Sequence, residues 1–409
     1  MVYFVKPKGV RVLYLSYDGL FEPLGESQIL SYVRLLAEKG ASYNLVTLEK
    51  RELFSDSGKT LRLKNELAGL GIEWQPLAYN NSRGALSRIG NFLRFFLASL
   101  KTAVNAKVNF VHARSYLPCA CALILKKLLK VKVIFDMRGF WVDERVEAGL
   151  WKQDSFVFKA AKRAERVLLR VSDEIISLTN KAAEEISSAA KPALPLSRIT
   201  VIPTCVDLER FFPEAKTAGG SEFTLVYSGS LSTWSMPSEM LRFFAALKIH
   251  LAAARFLVLT REDELFRSLL NSEKVNDEGI SAFPAAFKSM RGYLSAANAG
   301  IAFYKPGLSR KARCPTKVAE YLACGIPVVI NSGIGDTDEI VRKERVGVIV
   351  RDFSREAYGM AIGELEVLFS DAKALAVRCR QAAQKYFSLY DGADRYMEVY
   401  GRLSALSGK

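Results

Sequence analysis

The chain has 409 residues, of which 50% are hydrophobic and 25% are charged, and its net charge is +15. This is an ordinary globular composition, and it excludes a disordered chain, a collagen and a small disulfide-rich scaffold. At about 100–200 residues per domain, the length predicts two or three domains.

Cysteine and histidine usage limits the chemistry that the chain offers. The six cysteines are scattered without a CxxC pair, so we expect neither a structural zinc site nor a disulfide framework. His112 and His250 are the two histidines, too few for sites that need several. The opening MVYFVKPKGV lacks the apolar stretch of a signal peptide, and the longest apolar run, at 115–125, has 11 residues. A spanning helix needs about 20 residues, so a cytoplasmic protein that does not cross the bilayer is predicted.

Short apolar runs alternate with helical patterns along the first half. RVLYLS predicts a strand at 11–16, followed by a helix at 28–38. Further strands are predicted at 43–48, 72–77, 110–113, 131–136 and 174–178. Near-continuous apolar strands separated by helices are typical of a parallel sheet that is covered on both faces.

A basic segment lies within this half. No acidic residue occurs between Glu73 and Asp136, whereas ten basic residues do, and SRIGNFLRFFLASLKTAV alternates basic and large apolar residues at helical spacing. Such a helix suits an anionic membrane surface. The alternative is a helix packed on the sheet with a solvated basic face. The missing acids favour the membrane, through Arg83, Arg88, Arg94 and Lys101, and hence a peripheral location on the inner face of the cell membrane. No zinc finger, RNA-binding or helix-turn-helix pattern indicates nucleic acid.

The strand pattern restarts in the second half. Strands are predicted at 223–228, 255–259, 300–304, 326–330 and 346–350. The segment VIPTCVDLERFFPEAKTAGGS, rich in proline and glycine, reads as a linker, and we place the boundary between Pro203 and Pro213. The predicted fold class is therefore α/β, with two Rossmann-like, doubly wound parallel-sheet domains facing a cleft. Open sheets of this kind bind ligands at the carboxyl ends of their strands.

Polar residues follow the strands of the first domain. Gly25 precedes a helix N-terminus, where backbone can approach an anion. His112 and Arg114 end the fourth strand. A buried, hydrogen-bonded histidine is the alternative reading, but the scarcity of histidine favours a functional role for His112 at the mouth of the cleft.

The fifth strand runs into IFDMRGFWVDER, which crowds charged residues into one loop. Arg138 suits an anion or a polyol, Trp141 can stack on a sugar ring, and Asp143 is a further candidate contact to an acceptor. A surface cluster of ion pairs is the alternative. We favour a functional loop, because buried strands rarely end in this way for packing reasons alone.

The segment RKARCPTKVAEYLACGIPVV is the most informative of the second half. Pro315 suits the first turn of a helix. The backbone of Thr316 and Lys317, with the Lys317 ammonium, suits a phosphate. Glu320 lies one turn further along the same helix, within reach of a ribose diol.

With these segments, the sequence resembles family 4 glycosyltransferases of the GT-B fold, over nearly its whole length. LSYDGLFEPLGESQILSYVRLLAEKG resembles the family's glycine-containing loop and first helix, and PTKVAEYLACGIPVV its donor-nucleotide helix. KYFSLYDGADRYMEVYGRL is similar to the C-terminal helix that crosses back onto the first domain. The resemblance implies an acceptor-binding domain at 1–205 with a crossing helix at about 388–409, and a nucleotide-sugar-binding domain at 206–387. It also implies transfer with retention of configuration and without a metal or other cofactor.

The resemblance also assigns roles to residues. It implies that Glu320 contacts the donor ribose, that Thr316 and Lys317 supply amides to the diphosphate, that His112 lies near the sugar and phosphate, and that Gly25 faces the phosphates. The predicted catalytic set is His112, Arg138, Lys317 and Glu320. The predicted donor-binding set is Gly25, Gly229, Ser230, Trp234, Pro315, Thr316, Lys317 and Glu320, and the acceptor-binding set is Arg114, Arg138, Trp141 and Asp143.

Two departures from the family pattern change the expected donor site. A second glutamate of the family is replaced by Ala312, so sugar recognition must differ. The arginine and lysine that usually follow the first strand of the second domain are missing: Ser230 stands in place of the arginine, with Trp234 nearby. The hypothesis is that the lost positive charge is supplied by Lys317, Arg313 or Lys305.

The function predicted is a retaining, metal-independent glycosyltransferase of the hexosyltransferase type. It would move a sugar from a UDP- or GDP-linked donor to a saccharide or lipid-linked acceptor, in surface polysaccharide or glycolipid synthesis. Two alternatives stay open: a nucleotide-sugar epimerase of the same fold, and a non-catalytic protein that binds a membrane or a sugar nucleotide. An epimerase needs no acceptor, and a binding protein consumes no donor.

Overall fold

The computed structural model describes residues 9–82, 84–190, 192–214, 222–231, 234–273, 275 and 277–405. The chain forms two compact units, one of Met1–Ile202 with Leu389–Lys409 and one of Pro203–Ser388. These divisions fall three residues before and one residue after the predicted ones.

The first unit begins the chain. Its elements are β1 (Arg11–Ser16), α1 (Pro23–Gly25), a π-helical segment (Glu26–Leu30), α2 (Ser31–Glu38), β2 (Ser42–Glu49), α3 (Arg51–Phe54), α4 (Ser57–Gly69), β3 (Ile72–Ala78), α5 (Ala85–Asn105), β4 (Phe110–Arg114), α6 (Tyr116–Leu129), β5 (Lys132–Asp136), α7 (Trp141–Glu147), α8 (Phe156–Val171), β6 (Glu174–Ser177), α9 (Asn180–Ala189), a 3₁₀ turn (Leu196–Arg198) and β7 (Ile199–Val201).

The second unit follows. Its elements are β8 (Thr224–Ser228), α10 (Pro237–His250), β9 (Arg255–Leu259), α11 (Asp263–Glu273), β10 (Ile280–Phe283), a 3₁₀ turn (Phe287–Ser289), α12 (Met290–Ala296), β11 (Ala299–Ala302), a 3₁₀ turn (Leu308–Ala312), α13 (Thr316–Ala323), β12 (Val328–Asn331), α14 (Thr337–Glu344), β13 (Gly347–Val350), α15 (Arg355–Phe369) and α16 (Ala372–Phe387). The chain then returns to the first unit as α17 (Leu389–Ala405).

Each unit is built on one parallel sheet. The strand order is β3-β2-β1-β4-β5-β6-β7 in the first unit and β10-β9-β8-β11-β12-β13 in the second. The order reverses between β1 and β4 and again between β8 and β11, so the loops that follow these strands diverge and leave room for a ligand. The prediction of two doubly wound parallel sheets is confirmed. The sequence pattern missed β7 and β10, which have three and four residues.

Local sequence signals set the helix ends. Several helices begin at a Ser, Thr or Asp whose side-chain oxygen accepts a backbone N–H of the first turn, which satisfies a donor that the helix itself leaves unpaired. These capping residues are Asp56, Ser155, Thr179, Ser354 and Asp371.

Helix α17 closes one face of the first unit. It packs against α2, where the Tyr396 ring meets the Tyr32 ring edge-on with centroids 5.3 Å apart. The Tyr400 hydroxyl lies 2.6 Å from the Tyr43 hydroxyl, and both side chains are fully buried. The first unit is therefore completed by a segment that is distant in sequence.

Close packing in the second unit joins β11 to α13. A Cβ built on Gly300 of β11 would lie 2.1 Å from the Tyr321 ring of α13, so a larger residue does not fit there. The Tyr321 hydroxyl in turn accepts a hydrogen bond from the Ser228 N–H at 2.9 Å. This packing fixes α13 against the carboxyl end of β8, where the predicted donor residues lie.

Candidate active site

The loop that follows β8 is held by a carboxylate from the next strand's loop. Gly229 has φ +120°, a conformation that strains any residue with a side chain, and its N–H donates to the Leu259 carbonyl at 2.9 Å. Glu262 accepts from the Ser230 hydroxyl at 2.9 Å and from the Leu231 N–H at 2.7 Å. Sequence reasoning did not find Glu262, because it lies about thirty residues from the loop that it holds.

Helix α13 directs its N-terminus to the same end of the sheet. Thr316 is its first residue, and Pro315, at φ −70° and ψ 120°, is the residue before the helix rather than a member of its first turn. No side chain caps this end. The first amides of a helix have no partner within it, and the helix dipole makes this end favourable for an anion.

Lys317 is held over an aromatic ring. Its Nζ lies 3.8 Å from the centroid of the Tyr227 ring and 5.7 Å from that of Tyr304. Burial would lower the pKa of Lys317, but Tyr227, Tyr304 and Glu320 raise it further, so the ammonium stays protonated. A Cβ on Gly229 would lie 3.2 Å from this Nζ, so glycine leaves space beside the charge. The Tyr227 ring therefore holds the Lys317 ammonium in place through a cation–π contact, and the positive charge remains.

Glu320 lies one turn beyond Lys317 on the same face of α13. Burial raises the pKa of Glu320 to about 7, although Lys317 and Arg210 lower it. The side chain is half-buried. At neutral pH this carboxyl therefore exists both as an acceptor-only carboxylate and as a protonated group that donates a hydrogen bond.

A second cation lies beside Lys317. The Arg313 guanidinium carbon is 4.8 Å from the centroid of the Trp234 ring and 5.5 Å from that of Tyr304. Tyr304 thus lies between two cations, Arg313 and Lys317. Ala312, at the position of the missing family glutamate, is 4% exposed. Sequence reasoning missed Tyr227 and Tyr304, whose signal is an aromatic residue at the carboxyl end of β8 and just beyond β11.

His112 lies in a buried network in the first unit. The ring is 1% exposed, and its Nδ1 lies 2.8 Å from the Tyr400 hydroxyl of α17. Its Nε2 is 3.6 Å from the Asp136 carboxylate. His112 does not open onto the surface as expected, because Tyr400 of α17 covers it. Its predicted contact with substrate is not tested by this structure and stays a prediction.

Two arginines surround Asp136. Burial would raise the pKa of Asp136, but Arg138, His112 and Arg114 lower it to about 2. Arg138 lies 3.7 Å from the carboxylate, and Arg114 donates from Nε to Asp18 at 3.0 Å. Arg138 has φ +61°, a left-handed backbone that costs about 1–3 kcal/mol when it is not glycine and that is frequent at functional sites. These residues form one charged cluster at the carboxyl ends of β4 and β5.

Asp143 is engaged within the first unit. It is 9% exposed and accepts from Lys162 at 2.6 Å, while Glu165 accepts from the same ammonium at 2.9 Å. Trp141 packs against Tyr116 with ring centroids 5.6 Å apart. The structure thus pairs Asp143 internally, as the surface-cluster alternative expected, and leaves Trp141 partly exposed.

Gly25 lies in helical backbone, at φ −62° and ψ −47°, rather than in a loop, which corrects the prediction. A Cβ there would lie 1.9 Å from the Gly19 carbonyl oxygen. Packing of the helix on the turn after β1 therefore explains the need for glycine here.

Helix α5 carries the predicted membrane residues on its surface. Arg88, Arg94 and Lys101 are exposed, whereas Arg83 lies outside the described residues. Large apolar side chains are exposed on the same helix, with Leu86 at 86% and Leu97 at 61%. Among the described helices, none is both long enough and apolar enough to span a bilayer.

Comparison with known proteins shows what the chain is similar to. Residues 25–210 match the model of the family described as Glycosyltransferase Family 4. This segment of the chain is therefore similar to glycosyltransferases of family 4. The predicted resemblance to family 4 glycosyltransferases is thereby confirmed. No curated protein sequence matches the chain significantly.

Solved structures share the fold of this chain over nearly its full length. A sucrose-phosphate synthase from Thermosynechococcus elongatus superimposes with a TM-score of 0.73 at 14% identity, covering 97% of this chain and 100% of that one. A glycosyltransferase from Rickettsia africae gives 0.70 at 15%, covering 96% and 98%. HepE from Anabaena, in complex with UDP, gives 0.68 at 12%, covering 96% and 100%. These likenesses confirm the predicted GT-B fold.

Proposed function

We propose that this glycosyltransferase transfers a sugar from a nucleotide-sugar donor to a saccharide or lipid-linked acceptor, with retention of configuration and without a metal. The observation that carries the proposal is the start of α13, where the unpaired amides, the Lys317 ammonium and the Glu320 carboxyl lie on one helix beside Gly229. A UDP donor is favoured over a GDP donor, because HepE was solved with UDP and with UDP-glucose.

The chemistry follows from where charge develops. As the bond between the anomeric carbon and the diphosphate oxygen breaks, the sugar gains oxocarbenium character and the diphosphate gains negative charge. The amides of α13 and Lys317 stabilise that negative charge. The acceptor hydroxyl bonds to the anomeric carbon on the face that the diphosphate leaves, and its proton passes to the departing phosphate oxygen. This front-face path gives retention without a carboxylate nucleophile.

Two cations on aromatic rings replace the charge that the family supplies from the loop after β8. Arg313 and Lys317 are four residues apart and share Tyr304 as a neighbour. Lys305, the third candidate, is exposed and lies over no aromatic ring of the described residues. We therefore assign the compensation for Ser230 to Arg313 and Lys317.

The first experiment is a donor screen. The purified protein is incubated with UDP-, GDP-, ADP- and dTDP-sugars, with binding followed by ligand-observed NMR and slow hydrolysis followed by nucleotide release. We expect one donor to bind and to be hydrolysed slowly, with both signals lost in Glu320→Ala and retained in EDTA. Binding without turnover in the presence of candidate acceptors would favour the non-catalytic alternative, and conversion of the sugar without any acceptor would favour the epimerase.

The charge compensation is tested by comparing UDP with uridine. Because uridine lacks the diphosphate, Lys317→Gln and Arg313→Gln should weaken UDP binding about tenfold or more and leave uridine binding nearly unchanged. Lys343→Gln, an exposed cation of the same unit, is the matched control. Equal affinity of the two variants and the wild type for UDP would refute the assignment.

We propose further that α5 binds a membrane surface and that the enzyme works on the inner face of the cell membrane. The exposed cations alternate with exposed apolar side chains, as in helices that lie in the interface of anionic membranes. Charge reversal at Arg88, Arg94 and Lys101 should abolish binding to anionic vesicles. Unchanged binding would end this part of the proposal.

A further inference from the structure

The membrane surface extends beyond α5. We infer that the outer faces of α5, α6 and α8 together form one lipid-contacting surface, here called the three-helix face, whose partner is an anionic bilayer. The inference rests on the proposed membrane association and assigns it two helices that the sequence patterns did not single out.

The three helices are neighbours. Helix α6 packs against α5 and against α8, so it lies between them. Helices α5 and α6 pack on the parallel sheet, and α8 extends this layer through its packing on α6. Their outward residues therefore belong to one surface rather than to three separate ones.

Large apolar side chains are exposed along α6 and α8 as they are along α5. On α6, Leu117, Ile124 and Leu128 are exposed and follow each other at helical spacing. On α8, Phe156 is 86% exposed at the first position, and Val167 is 50% exposed further along. Repetition of this pattern on three adjacent helices makes an apolar patch rather than isolated surface residues.

The charge of the three-helix face has one sign. Helices α5 and α6 contain no acidic residue. The single acid of α8, Glu165, is 4% exposed and accepts from Lys162 and from Tyr116. Exposed cations follow one another along α8: Lys159, Arg163, Arg166 and Arg170.

This combination fits a bilayer better than it fits solvent. A solvated helix of the same protein, α15, exposes Arg355 together with Glu356 and Glu364, so both signs are present. The three-helix face, as far as it is described, exposes cations and apolar groups without acids. The cations suit anionic lipid headgroups, and the apolar groups suit the acyl chains beneath the headgroups. A protein partner with an acidic, apolar surface is the competing occupant.

The test uses the full chain and vesicles of phosphatidylcholine with or without an equal amount of phosphatidylglycerol. Two α8 variants are compared with the wild type by co-sedimentation: the triple charge reversal Arg163→Glu, Arg166→Glu and Arg170→Glu, and the apolar change Phe156→Ser. The matched controls lie in the second unit, where Arg342→Glu, Lys343→Glu and Arg351→Glu reverse exposed charges and Val367→Ser removes an exposed apolar group.

We expect the charge variant to lose at least tenfold in affinity for the anionic vesicles, and Phe156→Ser to lose several-fold, while the controls bind like the wild type. Added salt should weaken the wild type and hardly change the charge variant. If α5 charge reversal abolishes binding and the α8 variants bind normally, the three-helix face is wrong although membrane association stands. If the wild type does not bind vesicles, the proposed membrane association is wrong. Self-association measured by sedimentation velocity would then identify a second protein chain as the partner of the three-helix face. Nucleotide release from the donor, which the α8 variants should preserve, reports separately on the proposed transferase.

Discussion

The two units hold their charges in opposite ways. In the first unit, Asp136 and Arg114 are almost fully buried and compensate each other within one closed cluster. In the second unit, Lys317 is partly exposed and is held by the Tyr227 ring, which leaves its charge in place. The contrast indicates that the first cluster stabilises the fold, whereas the second remains able to attract an anion.

Removal of the central carboxylate should break this contrast most strongly. Asp136→Ala leaves His112, Arg114 and Arg138 without their buried partner, so we expect the free energy of unfolding to fall by about 3–5 kcal/mol. Chemical denaturation measures this directly. Asp394→Ala, which breaks the more exposed pair with Lys39, is the control and should cost at most about 1 kcal/mol. Similar losses of unfolding free energy in both variants would show that the buried cluster around Asp136 stabilises the fold no more than an exposed ion pair does.

The Asp136 carboxylate also makes the stability of the fold depend on pH in the acid range. Because the pKa of Asp136 falls to about 2 in the folded state, its stabilisation is fully present above the unfolded value of about 3.9 and is lost as the pH falls through that range. The wild type should therefore lose stability between about pH 4 and pH 2 more steeply than the Asp136→Ala variant.

A variant that changes packing in the second unit, without changing any charge, tests the comparison of the two units further. In Gly300→Ala, the added Cβ would lie 2.1 Å from the Tyr321 ring, so we expect a loss of about 1–3 kcal/mol and weaker donor binding, although no charge changes. Gly363→Ala is the matched control, since a Cβ there meets nothing within 4 Å, and it should stabilise α15 slightly. Thermal melting and donor titration of the two variants distinguish a displaced α13 from a general loss of stability.

The alternation of strands and helices was enough to predict both sheets, because parallel strands buried on two faces are apolar along their whole length. The position of Glu320 and Lys317 on one helix also followed from spacing alone. The contact of Lys317 with the Tyr227 ring could not be predicted from spacing, since the pairing of β8 with β11 is what brings Tyr227 close to Lys317. Nor could the burial of His112, which depends on a helix that begins more than 270 residues later in the chain.

The smallest expected effect concerns pH and the donor. With a pKa of about 7, Glu320 gains its charge as the pH rises through neutrality, and an ionised carboxylate is the better acceptor for two ribose hydroxyls. Nucleoside affinity should rise by up to about tenfold from pH 6 to pH 8, within the range for a hydrogen bond to a charged group. Glu320→Gln should bind without this dependence. A wild-type affinity that is flat over this range would place the carboxyl elsewhere than on the ribose.

The return of α17 to the first unit has a consequence for synthesis. During translation, residues up to Ile202 emerge with His112 still lacking Tyr400, and the whole second unit must be made before that hydroxyl becomes available. The second unit is contiguous and is free to fold as it leaves the ribosome. The unit that is made first is therefore the one that is finished last, and a chaperone that binds the nascent chain would be expected to shield the uncovered face of β4 during that interval.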